Sequence, residues 1–112
     1  MNPTLEEMNA AAATFEVKGS ELLTEEQERH LISLVQSGDT KSLERLVECE
    51  IRFVFTVAEV YQDKSVEMSD LIAAGTKGLV IAAQKYDISA EYRFTTYAIW
   101  WVRNEMLKVI NK

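Results

Sequence analysis

The sequence predicts an all-α protein, a compact helical domain of about four to five helices. Apolar residues recur at three- and four-residue spacings along most of the chain, which is the periodicity of amphipathic helices. Alternating strand-like patterns are absent, and Pro3 is the only proline. With 112 residues, the chain has room for one domain with one modest hydrophobic core.

Residues 1–20 are predicted to be an N-terminal extension that is either flexible or a short helix. Thr4 and Glu7 have the spacing of a capping box, which favours a helix that begins after Thr4. The many small residues of this segment leave a loose conformation as the alternative. Residues 21–112 are predicted to form the folded domain.

Two well-marked helices come next. Thr24 and Gln27 form a predicted capping box at the start of the second helix, and Gly38 is predicted to end it. Asp39 is predicted to cap a third helix that runs to about Tyr61, with its apolar residues on one face.

Two features of these helices are interpreted as purely structural. Cys49, the single cysteine, is interpreted as a buried and inert thiol. The acidic residues that follow the Thr24 cap are interpreted as a solvated helix face, and they are Glu25, Glu26 and Glu28.

The fourth helix is predicted to cover Met68 to about Tyr86 and to be largely buried. Gly75 and Gly78 lie inside it, although each glycine costs roughly 1 kcal/mol relative to alanine in a helix interior. Two glycines so close together indicate either a close approach of another backbone or a bend.

A loop over Asp87–Arg93 precedes the last helix, which Thr95 is predicted to cap and which runs to Ile110. Ala98, Val102 and Val109 share one face of this helix, together with either Glu105 or Met106. A second face, at spacings of three and four, carries Tyr97, Trp100, Asn104 and Lys108.

Aromatic residues are concentrated at the start of the last helix. Five of the ten aromatic residues, namely Tyr92, Phe94, Tyr97, Trp100 and Trp101, fall within ten positions. A core rarely needs that density on both faces of one helix, whereas each nucleobase stacked on such a ring contributes about 1–3 kcal/mol. We therefore expect Tyr92, Tyr97 and Trp100 to be accessible to a single-stranded ligand. Core packing combined with a protein-binding patch stays open as the alternative.

The charge distribution limits how such a ligand could be held. The net charge of −6 argues against a general nucleic-acid binder, but residues 85–112 hold five basic and three acidic residues. Arg93, Arg103 and Lys108 could contact phosphates, and Asn104 offers a donor and an acceptor to a base edge.

Several functional classes are not supported by any sequence signal. Metal-ligand spacings, glycine-rich phosphate loops and nucleophile motifs are absent, so we expect no metal, no cofactor and no enzymatic activity. No apolar run is long enough to cross a bilayer. The stretch from Met1 to Ala13 carries two acidic residues and no basic one, which is unlike a secretory signal, and we therefore expect a cytoplasmic protein.

The second half of the chain carries a set of motifs, and the tract from Tyr92 to Arg103, with Thr-Tyr-Ala followed by two tryptophans, is the most specific of them. Together the motifs resemble region two of bacterial RNA polymerase sigma factors of the primary, sigma-seventy type. The upstream stretches Glu21–Gln27 and Ile51–Ala58 are similar to the adjoining helices of that family, and the resemblance covers about residues 21–112. The other matching positions are Asp70-Leu-Ile, Gly75, Gly78-Leu79, Ala83 and Lys85-Tyr86-Asp87.

The resemblance implies a sigma domain two that acts in transcription initiation. Such a domain docks on the clamp coiled coil of the β′ subunit of core RNA polymerase and captures the non-template strand of the promoter's minus-ten element. One adenine then flips into an aromatic pocket, and the tryptophan pair acts as a wedge at the edge of the bubble. The positions implied for polymerase binding are Asp70, Ala73, Ala74, Thr76 and Val80. The residues expected at DNA are Tyr86, Tyr92, Arg93, Phe94, Thr96, Tyr97, Trp100, Trp101, Arg103, Asn104, Leu107 and Lys108.

The chain also departs from the family pattern. Ala73, Ala74 and Thr76 stand where the family usually has glutamine, glutamate and asparagine, which implies weaker polymerase binding or a variant polymerase. Leu107 replaces a usual threonine, which implies an altered base preference, and the loop before Tyr92 lacks its usual basic residues. The alternative is a sigma-derived interaction module or regulator that binds polymerase or an anti-sigma protein without melting DNA.

Overall fold

The computed structural model describes residues 2–15, 22–63 and 65–111. Within these ranges the chain forms five helices and no strand, apart from one isolated antiparallel bridge between Asp63 and Val66. The predicted all-α class is therefore confirmed. None of the described helices is both long and apolar enough to span a bilayer. The helices are α1 (Leu5–Phe15), α2 (Glu25–Gln36), α3 (Thr40–Tyr61), α4 (Met68–Lys85) and α5 (Phe94–Ile110).

Helix α1 is closed by the predicted capping box and packs against α5. The backbone nitrogen of Glu7 donates to Thr4 Oγ1 at 3.1 Å, and Thr4 N donates to Glu7 Oε1 at 3.0 Å. Met8, Ala11 and Phe15 are buried in the same core as the other helices. Of the two alternatives for this segment, the helix is the one observed. The predicted domain boundary between residues 20 and 21 lies outside the described residues.

Local capping signals set the bounds of α2 and α3. Gln27 N donates to Thr24 Oγ1 at 3.1 Å and Thr24 N donates to Gln27 Oε1 at 3.0 Å, so the capping box at α2 is confirmed. Gly38 has a φ of +99°, the left-handed region that an L side chain rarely adopts. Asp39 Oδ1 accepts from Lys41 N at 3.2 Å at the start of α3.

The two glycines of α4 mark a close crossing with α5. A Cβ atom on Gly78 would lie 2.6 Å from the carbonyl oxygen of Trp101. A Cβ atom on Gly75 would lie 2.5 Å from Met106 Cε and 2.7 Å from Val54 Cγ1. Close approach of another backbone, one of the two readings of the sequence, is therefore the observed one, and it places Trp101 directly against α4.

The start of α5 differs from the sequence prediction. Thr95 does not cap the helix, because α5 already begins at Phe94 and its N-cap residue is Arg93, which makes no side-chain cap hydrogen bond. Phe94 is fully buried and Thr95 is 1% exposed, so the first turn of α5 is packed into the core. Both Glu105 and Met106 are buried, whereas the pattern favoured only one of them.

Candidate nucleic-acid interface

Six aromatic rings form one continuous cluster across the loop before α5 and the first half of that helix. Tyr86 lies at the centre, with ring centroids 5.5 Å from Phe94, 5.7 Å from Tyr97 and 6.1 Å from Tyr92. The rings of Tyr92 and Tyr97 are close to parallel, at 25° and 6.4 Å. Tyr97 then contacts Trp101 at 6.4 Å, and Trp101 contacts Trp100 edge-to-face at 5.1 Å. The structure thus brings together the aromatic residues that the sequence singled out.

Most of these rings are buried, which differs from the expected accessibility. Tyr97 is 3% exposed and Trp100 is 8% exposed, so the expectation of open rings is wrong for these two residues in this conformation. Tyr92 is half-buried, as are Trp101 and Thr96. Burial raises the pKa of Tyr86 to about 12, and its hydroxyl donates to the backbone oxygen of Tyr92 at 2.5 Å. Tyr92 and Trp101 are therefore the rings of this cluster that present surface to solvent.

Helix α1 and the residues before it contact α5 at Tyr97 and Trp100, two of the buried rings. The hydroxyl of Tyr97 donates to Asn2 Oδ1 at 2.7 Å. Hydrogen bonds from Thr4 lower the pKa of the Glu7 carboxyl, and the side chains of Trp100 and Arg103 lower it further. The N-terminal segment therefore meets α5 through polar contacts as well as through its apolar face.

The basic residues predicted to contact phosphates differ in their exposure and in the partners that their side chains already have. Lys108 is 73% exposed at its side chain, although its Nζ donates to Glu105 Oε2 at 2.7 Å. Arg103 is half-buried and donates to Asn104 Oδ1 at 3.4 Å, which engages the predicted base-reading amide. Of the three cations, Lys108 offers the most open charge to an approaching phosphate.

Arg93 is part of a buried ion pair. Its Nε donates to Glu28 Oε2 at 2.6 Å, and Glu28 is 1% exposed. The interpretation of Glu28 as part of a solvated face is therefore wrong, whereas Glu25 and Glu26 are exposed as expected. A buried carboxylate requires a charged partner, and Arg93 supplies it from 65 positions along the chain.

A second buried carboxylate, Glu50 on α3, lies near this pair. Glu50 is 2% exposed, and its Oε1 has no hydrogen-bond partner among the residues that the structure describes. Burial raises the pKa of Glu50 to about 8, and the negative charge of Glu28 adds to the effect. The pKa of Glu28 is also raised by burial, against the opposing influence of Arg93. Burial and the neighbouring charge of Glu28 therefore both favour the protonated form of Glu50 beside the ion pair.

Side chains of α2 hold the loop before α5, and sequence reasoning missed them. Arg29 donates to the carbonyl oxygens of Ile88 and Ala90, and Gln36 Nε2 donates to those of Ala83 and Tyr86 at 3.0 and 2.7 Å. These partners are 47 to 61 positions apart. No local sequence pattern could have indicated these contacts, because every residue type presents the same backbone carbonyl as an acceptor.

The residues predicted to bind polymerase lie along α4, away from the ring cluster. Asp70 and Ala73 are exposed, and Ala74, Thr76 and Val80 are half-buried. Asp70, Ala73 and Ala74 line a cavity of about 590 Å³ whose other wall is formed by residues of α5 that include Glu105 and Lys108. The alanines therefore open a recess at this face of α4.

Neither a metal nor a reactive thiol is indicated by the described residues. No group of three histidine, cysteine, aspartate or glutamate side chains among them could hold a metal ion. Cys49 is 5% exposed, so the predicted burial is confirmed, and burial raises the pKa of its thiol.

Comparison with known proteins identifies the family. Residues 46–112 match sigma-70 region 2, and the chain belongs to that family. It is 34% identical over 95 residues, or 85% of its length, to the RNA polymerase sigma factor SigA of Listeria monocytogenes serovar 1/2a and to that of Listeria innocua serovar 6a. The chain spans about a quarter of the length of these curated relatives.

Proposed function

We propose that this chain is the region-two module of a sigma factor of the primary type. It binds core RNA polymerase, recognises the minus-ten promoter element and stabilises the melted non-template strand during transcription initiation. It makes and breaks no bond, and it needs no metal or cofactor. Membership of the sigma-70 region 2 family supports this proposal, as do the two SigA relatives.

The observation that carries the DNA-binding part is the continuous ring cluster. Extruding a base from a duplex costs a few kcal/mol, and stacking on aromatic rings offsets about 1–3 kcal/mol per base. Tyr92 presents a half-exposed ring that lies nearly parallel to Tyr97 behind it. A flipped adenine could first stack on Tyr92, while Trp101, held against α4 by the Gly78 crossing, is available at the neighbouring edge.

Full access to Tyr97 and Trp100 requires the N-terminal segment to move. The segment is tied to Tyr97 by the hydrogen bond to Asn2, and Met8, Ala11 and Phe15 fix it to the core. One net hydrogen bond contributes only about 0.5–1.5 kcal/mol. The binding energy of one stacked base is therefore large enough to displace the residues around Asn2, if α1 itself stays in place.

Polymerase binding is assigned to the α4 surface around Asp70. The rings belong to the loop and the first half of α5, and this surface meets the proposed DNA-binding residues at Lys108, which lines the same recess as Asp70. The clamp coiled coil of the β′ subunit is the proposed docking site. Ala73 and Ala74 line the recess, and their small side chains leave room in it for a side chain of the partner.

The experiment that tests this function is permanganate footprinting of promoter DNA with core polymerase and the full-length protein. Tyr92→Ala removes the half-exposed ring and is expected to abolish reactive thymines in the minus-ten region without loss of polymerase binding. Phe55→Ala is the matched control, because Phe55 also presents an aromatic ring to solvent, at 45% exposure on α3, outside the cluster. Unchanged melting with Tyr92→Ala contradicts the proposal.

The burial of Tyr97 and Trp100 favours a second candidate function. A sigma-derived regulator that occupies polymerase or an anti-sigma protein would not need open rings, and the acidic net charge suits protein partners better than DNA. In that case the wild-type protein would bind core polymerase but would produce no melted region at any promoter. The same footprinting assay separates the two functions.

A further inference from the structure

The chain on both sides of Tyr92 is held by two consecutive residues of α2, through a backbone carbonyl on one side and through a side chain on the other. The carbonyl oxygen of Ala90, two positions before Tyr92, accepts a hydrogen bond from Arg29 Nη2 at 2.5 Å. Arg93, the position after Tyr92, donates from Nε to Glu28 Oε2 at 2.6 Å. The half-exposed ring therefore sits on a short span whose two ends are both fixed to α2.

Arg29 makes this anchor with both branches of its guanidinium. Nη1 donates to the carbonyl of Ile88 while Nη2 donates to that of Ala90, so one planar group bridges two carbonyls of the loop. Glu25, one helical turn earlier, lies 3.2 Å from the same Nη2 and holds the guanidinium from the other side. A lysine ammonium is a point charge on a flexible stem and cannot reproduce this fork.

The other end of the loop is held in the same way. Gln36, the last residue of α2, donates to the carbonyl oxygens of Ala83 in the last turn of α4 and of Tyr86, its C-cap residue, where carbonyls lack helical partners. Tyr86 in turn donates from its hydroxyl to the backbone oxygen of Tyr92. Helix α2 therefore fixes the position of the Tyr92 ring in two ways. Arg29 holds the loop before it, and Gln36 holds Tyr86, which in turn contacts the backbone of Tyr92.

We infer that Arg29 is a positioning residue for Tyr92, which it holds in the orientation that accepts a flipped nucleobase. The inference rests on the proposed function and names α2 as the element that supports the DNA-binding rings. Arg29 is itself 24% exposed at its side chain and faces the loop carbonyls, so it acts through the loop rather than on the base. Small displacements of a stacking group weaken selection among bases because ring overlap depends on orientation.

The test compares Arg29→Lys and Arg29→Ala in holoenzymes assembled from core polymerase and the full-length protein. The quantity measured is the ratio of the dissociation constants for two non-template minus-ten oligonucleotides, one with adenine and one with cytosine at the flipped position. Both variants are expected to lose roughly fivefold to tenfold of the adenine preference, since the stacked ring is no longer oriented. Arg45→Ala, which removes the same charge from an exposed pair with Glu48, is expected to leave the ratio unchanged.

The lysine variant separates positioning from charge. If Arg29→Lys keeps the full adenine preference while Arg29→Ala lowers the affinity for both oligonucleotides in a salt-dependent way, the role is electrostatic and the inference is overturned. Gln36→Ala provides a second variant in case Arg29→Ala impairs folding, and it is expected to lower the ratio with an unchanged melting temperature. A preserved ratio in both Arg29→Lys and Gln36→Ala also overturns the inference.

Failure of the proposed function would be visible in the wild-type protein. A wild-type holoenzyme that binds neither oligonucleotide, or that binds both equally, contradicts the function itself. A wild-type holoenzyme that prefers adenine, beside variants that prefer it equally, contradicts only the role of Arg29.

Discussion

The hydroxyl of Tyr97 donates a hydrogen bond of 2.7 Å to the side-chain oxygen of Asn2, a residue 95 positions earlier in the chain. Tyr97 is 3% exposed, with α1 packed on α5 and with the rings of Tyr86, Tyr92 and Trp101 around it. A ring proposed to bind a nucleobase is therefore engaged by the protein's own N-terminal segment, which makes the attachment of α1 a determinant of DNA access.

Weakening the attachment of α1 is expected to open the rings. Met8→Ala removes a side chain that is 2% exposed beneath α1, and loss of such a core side chain costs about 2–5 kcal/mol. Because α1 packs chiefly on α5, we expect local detachment, which should increase acrylamide quenching of tryptophan fluorescence and strengthen binding of a minus-ten non-template oligonucleotide.

Leu5→Ala is the control, since Leu5 lies on the same helix but is 56% exposed. It should change neither quenching nor affinity. Increased quenching with weaker oligonucleotide binding would contradict the role of α1 as a cover and would make it part of the binding site.

The helices of this protein are predictable because their signals are local. The capping boxes at Thr4 and Thr24, the glycine at the end of α2 and the Asp39 cap each involve residues within a few positions of each other. The start of α5 is less predictable, since Thr95 is a good cap residue by type. Packing of Phe94 into the core overrides that preference and moves the start of the helix.

The aromatic residues of the candidate site are also predictable, whereas their environment is not. Sequence density and family resemblance single out Tyr92, Tyr97 and Trp100, but they do not reveal that two of these rings are buried or that α1 packs on the helix that carries them. The pairing of Glu28 with Arg93 likewise depends on the packing of α2 against the loop. Long-range contacts of this kind have no periodic signature in the sequence.

The α4–α5 crossing predicts a difference between its two glycines. Gly78→Ala places a Cβ atom 2.6 Å from the backbone oxygen of Trp101, and backbone cannot move aside without shifting a helix. Gly75→Ala meets chiefly the terminal methyl of Met106 at 2.5 Å, together with Val54 Cγ1 at 2.7 Å, and Met106 can change rotamer. Both variants gain about 1 kcal/mol of helix propensity, but overpacking costs typically about 1–3 kcal/mol and occasionally more.

We therefore expect Gly78→Ala to lower the free energy of unfolding in urea by more than Gly75→Ala does. The first variant is also expected to displace Trp101 and change its fluorescence. Equal stability of the two variants would show that α5 can shift away from α4 without penalty.

The buried carboxyl of Glu50 predicts that stability falls as pH rises. Its folded-state pKa is about 8, above the ordinary value of 4.5, so between these values the folded state binds a proton that the unfolded state has lost. The free energy of unfolding should therefore decrease from about pH 4.5 to about pH 8 and then level off. The raised pKa of Glu28 contributes with the same sign.

Glu50→Gln is expected to flatten this pH dependence and to raise the melting temperature most at pH 8 and above, because the amide stays neutral. Glu48→Gln, on the same helix but 70% exposed at its side chain, should leave the profile unchanged. A profile of Glu50→Gln that parallels the wild type would place the titration elsewhere.

Lys108 is expected to contact phosphate and not to read sequence. Its side chain is 73% exposed on the second half of α5, so Lys108→Ala should weaken binding of all promoter oligonucleotides by a similar factor. Neutralising one phosphate contributes about one unit to the slope of log K against log salt concentration, and the variant should lose about one unit of that slope.

Lys41→Ala, at the exposed start of α3, is the control and should leave the slope unchanged. If Lys108→Ala instead alters the preference among bases, the side chain reaches a base edge, and Glu105, which it contacts at 2.7 Å, would be the residue that aims it there.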